Sequence, residues 1–392
     1  MYQEGQIGIY FHWPFCLSKC PYCDFNVYVR DRGDLDADHE RWLAAYLTSL
    51  EYYAQLMPDR TVASVFFGGG TPSLMAPETV ARVLDKIHAL WPCANDIEIT
   101  LEANPTSVEA DKFTAFRDAG INRVSIGVQA LNNADLKFLG RTHDQGQALG
   151  AIEVASKTFE RFSFDLIYAR PQQSLKAWEA ELAQAIDLAG GHLSLYQLTI
   201  ERNTPFYYDH EQGKFSIPEQ DLAADFYALT QDVLGAAGLP AYEVSNHAAD
   251  GHESVHNLIY WRYGDYIGIG PGAHGRLTLA DGRKCATREH QVPDIWMERV
   301  EENGTGVHPL EGLDHQGRFM EALMMGLRVH EGLPFARLNA QCEEGKDARD
   351  YLDMTKLDML AGQGWLSYDE ERLVLSVEGM LRLNAIVPYI LK

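Results

Sequence analysis

The 392-residue chain carries 33 basic and 56 acidic side chains, a net charge of −23 spread along its length. Such a charge repels phosphodiester backbones, and no Lys/Arg cluster offsets it, so nucleic acid is excluded as a partner. Apolar residues at 46% and charged residues at 23% exclude long disordered or collagen-like segments, and no run approaches the roughly 18 apolar residues of a transmembrane helix.

The N-terminus, Met1 to Glu4, has neither a basic nor an apolar export region, so the expected location is the cytoplasm. Apolar, β-branched or aromatic runs follow at Ile7–Trp13, Val62–Phe67, Ile97–Leu101, Arg123–Val128, Phe162–Ile167 and Leu193–Leu198. Between them, helical periodicity such as Trp42, Leu43, Tyr46, Leu47 and Leu50, or Val80, Val83, Leu84 and Ile87, supplies crossover helices. Six βα units in residues 1–200 predict a parallel α/β sheet, and the unusual polar residues favour a partial (β/α)6 TIM-like barrel. Three cysteines follow the first run, Gly68 to Pro72 the second, Glu102 the third and Gln129 the fourth, while Asp165 lies near the end of the fifth. All sit at carboxyl ends of strands, where parallel α/β proteins place their sites.

Residues 201–308 extend the barrel. Glu201–Gly213 reads as a loop, Pro218–Gly238 as a helix and Ala241–Ser245 as a strand, and Tyr263–Gly272 is glycine-rich and surrounded by aromatics. Residues 309–392 read as a mixed, mostly helical C-terminal elaboration. Its helices hold Phe319, Leu323 and Leu327, then Leu357 and Leu360; a hairpin over Trp365–Tyr368 and Leu373–Ser376 gives it a winged-helix-like outline.

Of six cysteines, Cys16, Cys20 and Cys23 crowd into a C-x3-C-x2-C array, while Cys93, Cys285 and Cys342 stand apart as small hydrophobes. Three thiolates on one loop can grip three irons of a 4Fe-4S cube and leave the fourth iron open for a ligand. Zinc is the alternative, with His12 or a distant cysteine completing four ligands. The spacing favours iron–sulfur, since zinc ligands come in closely spaced pairs.

C-x3-C-x2-C after a first strand, with Tyr22 before the last cysteine, resembles the radical S-adenosylmethionine (SAM) superfamily. Gly68 to Pro72 resembles its glycine motif in the form used by relatives of oxygen-independent coproporphyrinogen III oxidase, and Tyr10–Cys16, Val124–Gln129, Phe164–Tyr168 and Gly268–His274 extend the likeness along the chain. Within that family the chain is most similar to the haem-chaperone group, because Asp24 and Phe25 follow Cys23 where the oxidase has a fourth cysteine. The first strand also begins by Ile7, without the oxidase's extension.

The resemblance implies that Cys16, Cys20 and Cys23 hold a 4Fe-4S cluster whose open iron binds SAM. It also implies that Tyr10 and Tyr22 flank the cofactor, that Gly69, Gly70 and Thr71 approach its amino end, and that Glu102, Gln129, Arg141 and Asp165 contact it. The chain departs from the family at Ala169–Gln173, where a Gly-Leu-Pro-Gly turn is common. His256, Asn257, Tyr260 and Trp261 match the H-N-x-x-Y-W motif associated with haem in the chaperone group, His256 as axial ligand with the aromatics against the macrocycle. Read alone, the segment favours a core or loop histidine beside a buried aromatic pair, and the family resemblance reverses that preference. His12 and His274 lie within family motifs, and His143 reads as a helix residue.

The expected function is a haem chaperone that binds haem and a SAM-ligated cluster and passes haem to an acceptor protein. Its expected partners are haem or porphyrin, the acceptor, an electron-donor protein and a peripheral membrane contact. The alternative is a radical SAM enzyme acting on a tetrapyrrole, an oxidase or a methyl-transferring enzyme.

Overall fold

The structure is a computed structural model that describes residues 5–106 and 110–392. All six expected strands form: β1 (Gln6–Trp13), β2 (Thr61–Gly69), β3 (Cys93–Ala103), β4 (Arg123–Gln129), β5 (Arg161–Tyr168) and β6 (His192–Gln197), each parallel to the next. Parallel neighbours need long crossovers, and helices lie in each of these connections: α1 (Arg32–Leu56), α2 (Pro77–Leu90), α3 (Phe113–Asp118), α4 (Gln145–Thr158) and α5 (Leu175–Leu188). Proline opens α2, and Val80, Val83, Leu84 and Ile87 form its buried stripe.

Strand alternation creates two unlike faces. Ile7, Ile9, Phe11, Val65, Phe67, Leu101, Val124, Ile126, Phe164 and Leu195 share the main core with the helices. The opposite, concave face buries Ser64, Glu98, Thr100, Arg123, Ser125, Ser163 and Ser194. The barrel interior is therefore polar, and each of its groups needs a partner.

The sheet grows beyond the six units at both ends. β7 (Asn246–Ala248) pairs antiparallel with β6, and β8 (Asp265–Ile269) joins the free edge of β1 in parallel. Antiparallel β9 (His274–Thr278), β10 (Lys284–Arg288) and β11 (Glu311–Gly312) follow, giving an open eleven-stranded sheet with no closed barrel. α6 (Gln220–Ala236) packs on α5, α7 (Val255–Trp261) packs against β2 on the concave side, and α8 (Pro293–Asn303) lies on α1 with Trp296 stacked on Trp42. Gly268 has no substitute here: a Cβ on it would lie 2.1 Å from the His274 carbonyl oxygen of the adjoining strand.

Two expectations are corrected. Ala241–Ser245 is not a strand and makes only isolated bridges, Ala241 to His247 and Glu243 to Val329. The Glu243 carboxylate accepts from Ser245 N (3.1 Å) and Asn246 Nδ2 (2.5 Å), turning the chain before β7 begins. The stretch read as a loop at 201–213 contains a helix, Pro205–Glu211, capped by the Thr204 hydroxyl accepting from Tyr207 N.

C-terminal to these, α9 (His315–Gly326) opens a second apolar core that includes Phe319, Leu323, Leu357, Leu360 and Leu373. The hairpin there pairs Leu366–Tyr368 with Arg372–Leu375, and Leu333–Pro334 adds a third strand. Among the described residues no helix is long and apolar enough to cross a membrane.

The turn after β5 keeps a glycine-type backbone without glycine. Ala169 (φ 55°) and Gln172 (φ 61°) occupy the left-handed region, which costs an L-residue roughly 1 kcal/mol. Arg170 between them is 2% exposed; it pairs with Glu181 and, at 3.0 Å, with Asp135, and donates to the Ile167 carbonyl at 3.1 Å. These contacts hold the turn. Gln172→Gly is expected to raise stability by about 0.5–1 kcal/mol, seen as a higher thermal midpoint; an unchanged or lower midpoint would show that the turn carries no such strain.

Candidate cofactor site

The cysteine loop leaves the barrel through a short parallel ladder, Phe15–Cys16 beside Tyr28–Val29, and Cys23 N donates to Cys20 O at 3.1 Å to form a turn. Its outer side is seated on distant segments. Pro21 O accepts from Phe206 N (3.0 Å), so the helix absent from the sequence reading backs the loop, and Phe206 packs with Phe138 and Phe215 behind it.

Cys16, Cys20 and Cys23 open on one cavity of about 570 Å3 at the carboxyl edge of the strands. Tyr22, Gly69, Gly70, Thr71, Glu102, Gln129, Arg141 and Asp165 line the same cavity. Sequence positions up to 149 residues apart are thus brought together. Tyr10 and His256 are not in this lining.

Donors point at the sulfurs. Thr71 Oγ1 donates to Cys16 Sγ (3.4 Å) and Arg141 Nη1 to Cys20 Sγ (3.3 Å). Arg141 Nη2 also donates to Asn104 Oδ1 (2.5 Å) and to the Gly127 carbonyl (2.8 Å), and Asn104 Nδ2 donates to Thr71 Oγ1 (2.9 Å). Asn104 was missed in the sequence; its only signal is its place two residues after Glu102 at the same strand edge. Burial pushes the Cys16 thiol up to about 11 in the ligand-free chain, so an electron-accepting metal is what would make this sulfur a thiolate. Among the described residues no three His, Cys, Asp or Glu side chains are grouped tightly enough to hold a single ion. Three cysteines on one loop, two of them receiving hydrogen bonds from Thr71 and Arg141, fit a 4Fe-4S cube with one iron left open.

Gly69 (φ 111°) lets the β2 edge pass this loop: a Cβ there would lie 2.7 Å from the His12 ring and 2.9 Å from the Trp13 carbonyl oxygen. Its N–H donates to Glu102 Oε2 at 3.1 Å. Burial, reinforced by the charge of Asp165, pushes Glu102 up to about 8, against the pull of that N–H. Burial also raises Asp165 to about 6, against the Ser194 hydroxyl, Arg123 and the Ser125 hydroxyl, which lies 3.4 Å away. Two destabilised carboxyls facing one cavity suit a cationic or hydroxyl-rich ligand. Gln129 reaches the same wall from a left-handed backbone, φ 74°.

The remaining candidates lie elsewhere. Tyr10 is behind Gly68, with its hydroxyl 3.0 Å from His12 Nδ1. His143 is not on a helix; it precedes α4, is buried, and has Nε2 3.1 Å from the Val128 carbonyl oxygen. His256, expected as an axial haem ligand, lies inside the barrel. Its Nδ1 is 2.8 Å from Ser64 Oγ, its Nε2 is 2.6 Å from Tyr260 Oη, and it is 1% exposed, with burial lowering it to about 3. Both nitrogens are engaged inside the barrel, so neither is free for iron. Trp261 instead lies under Arg328, 4.9 Å from its ring centroid.

A three-cysteine loop at the carboxyl edge of a partial parallel barrel, beside a glycine-rich strand end, defines a radical SAM protein. The Radical SAM superfamily model matches residues 10–184, and the HemN C-terminal domain model matches residues 313–382. The chain is 37% identical to the heme chaperone HemW of Escherichia coli (strain K12) over 97% of each chain. It is 40% identical to the mitochondrial radical S-adenosyl methionine domain-containing protein 1 of Mus musculus, over 97% of this chain and 86% of that one. In fold it matches the solved coproporphyrinogen III oxidase HemN of Escherichia coli, with TM-score 0.79 and 22% identity over 99% of this chain and 90% of that one. The chain belongs to the family of radical SAM proteins that contains HemW.

Removing the Glu102 charge is expected to stabilise the ligand-free chain in a pH-dependent way. A carboxyl raised from 4.5 to about 8 on folding contributes stability at low pH that is lost as pH rises through that window. Glu102→Gln should therefore match the wild type near about pH 5 and exceed it by about 1–2 kcal/mol near about pH 9, measured by thermal or urea unfolding; an equal difference at both pH values would count against it.

Proposed function

We propose that this protein is a haem chaperone that binds a SAM-ligated 4Fe-4S cluster and haem and passes the haem to an acceptor protein. The observation that carries the cofactor half is the convergence of Cys16, Cys20 and Cys23 with Gly69, Thr71, Arg141 and the carboxyls of Glu102 and Asp165 on one cavity. The cargo half is supported by the relatives named HemW, and by Asp24 and Phe25 standing where the oxidase has a further cysteine.

In this reading Cys16, Cys20 and Cys23 hold the cluster, which supplies an open iron to chelate SAM and a one-electron reductant. The chain's own groups do the positioning. Thr71 and Arg141 donate to two of the sulfurs, an arrangement that stabilises negative charge on them. Gly69 and Gly70 let this strand end pack against the segment leading into the cysteine loop, a Cβ at Gly70 lying 2.5 Å from the Phe15 carbonyl oxygen, and so bring their backbone to the cavity where the amino end of SAM would sit. Glu102 and Asp165 accept from its ammonium or ribose hydroxyls and give up protons as they do so, while Tyr22, Gln129 and Tyr10 complete or back the pocket. An electron-donor protein and a haem acceptor are the partners this requires. A reducing compartment suits the cluster, so a cytoplasmic location belongs to the same proposal.

Anaerobic reconstitution followed by iron and sulfide analysis, then haem titration with and without SAM, tests the reading. About four irons per chain and saturable haem binding are expected, with Cys20→Ala losing the cluster. Zinc alone, or no haem uptake, would overturn it. Turnover of coproporphyrinogen III to a vinyl product under reducing conditions would replace the chaperone by an oxidase.

A further inference from the structure

The concave face continues past the cofactor cavity onto β8, β9 and β10. A Cβ on Gly8 would lie 3.2 Å from the His256 ring, so that side of β1 faces the barrel interior. Tyr266 aligns with Gly8, Arg276 stands opposite Tyr266, and Arg288 stands opposite His274. His274, Arg276 and Arg288 therefore share the interior-facing side of the sheet. Because β9 runs antiparallel to β8, His274 at its start and Arg288 at the end of β10 lie at the same edge as the cysteine loop.

This corner adjoins the loop directly. Asn26 Nδ2 donates to the carbonyls of Pro271 (3.0 Å) and Gln291 (2.9 Å), on either side of the β9–β10 hairpin. Phe25, the preceding residue, lines the cofactor cavity and is 60% exposed. In a chain of charge −23 the corner is locally basic. Arg276 is taken by Glu321 at 2.7 Å, and Glu311, opposite Ala286, is the acidic residue across this part of the sheet. His274 and Arg288 are both exposed, and among the described residues neither side chain has a hydrogen-bond or ion-pair partner. Partial burial and the nearby guanidiniums of Arg276 and Arg288 lower the His274 imidazole, favouring its neutral, metal-ligating form.

We propose that haem docks at this corner, with the His274 imidazole as axial ligand, Arg288 pairing with a propionate and Phe25 packing against the macrocycle. An imidazole, a free guanidinium and an exposed aromatic ring are the three chemistries that iron, carboxylate and porphyrin plane call for. The assignment rests on the haem-chaperone reading and gives it a location beside the cofactor, whereas His256 is occupied inside the barrel.

The test is a ferric haem titration of the full chain, following the Soret band, for the wild type, His274→Ala and Arg288→Ala. His274→Ala should change the Soret position and weaken binding by at least about tenfold, with the wild-type spectrum restored by added imidazole. Arg288→Ala should weaken binding by about tenfold without changing the spectrum, the loss expected for one charge-assisted hydrogen bond. Both side chains are exposed, and unchanged circular dichroism melts would confirm that the variants fold. A wild-type spectrum and affinity in His274→Ala would overturn the location while leaving the chaperone reading intact; a wild type that takes up no haem would overturn both.

Discussion

One buried carboxylate organises the interior of this barrel. Glu98 has no exposed side-chain surface; its Oε2 lies 2.9 Å from Arg161 Nη1 and 3.9 Å from Arg123 Nε. Its Oε1 accepts from Ser254 Oγ (3.2 Å) and from the backbone N–H of His256 (3.1 Å). An isolated charge there would cost several kcal/mol, and removing one member of such a group typically costs about 3–5 kcal/mol. Glu98 therefore fixes β3, β4, β5 and the start of α7 together. Arg123 passes the connection upward: it donates to Ser163 Oγ (3.0 Å), Ser163 to Ser125 Oγ (3.0 Å), and Ser125 to Asp165 on the cavity wall. The helix α7 and the cavity wall belong to one column of ion pairs and hydrogen bonds.

That column explains how a protein of net charge −23 can offer two carboxyls to a ligand. Arg123 is the interior cation that draws both Glu102 and Asp165 toward ionisation, while burial works against it. The balance raises Glu102 to about 8 and Asp165 to about 6, so a bound cation would favour the ionised form of each. The same edge carries left-handed backbone at Gln129, Ala169 and Gln172. Such strain persists only where surrounding contacts over-determine it, as the buried Arg170–Glu181 pair does for the turn after β5.

The strands were legible because apolar alternation separates a core face from an interior face, and the site was legible because its polar residues recur at strand ends. Every cavity-lining residue expected from the sequence lies at or just after one of those ends or on the cysteine loop, except Arg141, which follows the helix Asn133–Phe138. Tyr10 and His256 escaped because a motif fixes which face a side chain occupies but not its depth along the barrel axis. His256 is on the interior face, yet its ring is spent on Ser64 and Tyr260. The helix at Pro205–Glu211 was invisible because it is two turns long and its one buried residue, Phe206, gives no periodicity. The short antiparallel strands β7 to β11 owe their pairing to neighbours already in place, which local sequence does not encode.

The seat of the cysteine loop has a consequence for biogenesis. Cys20 is held by Arg141, Pro21 by Phe206, and Asn26 by Pro271 and Gln291. The three thiols emerge from the ribosome first, but the groups that shape their loop are synthesised as much as 265 residues later, on the order of ten seconds or more at ordinary translation speeds. During that interval the cysteines are exposed on an unsupported segment. The loop therefore takes its final shape only once the chain past β10 has been made and the sheet has closed.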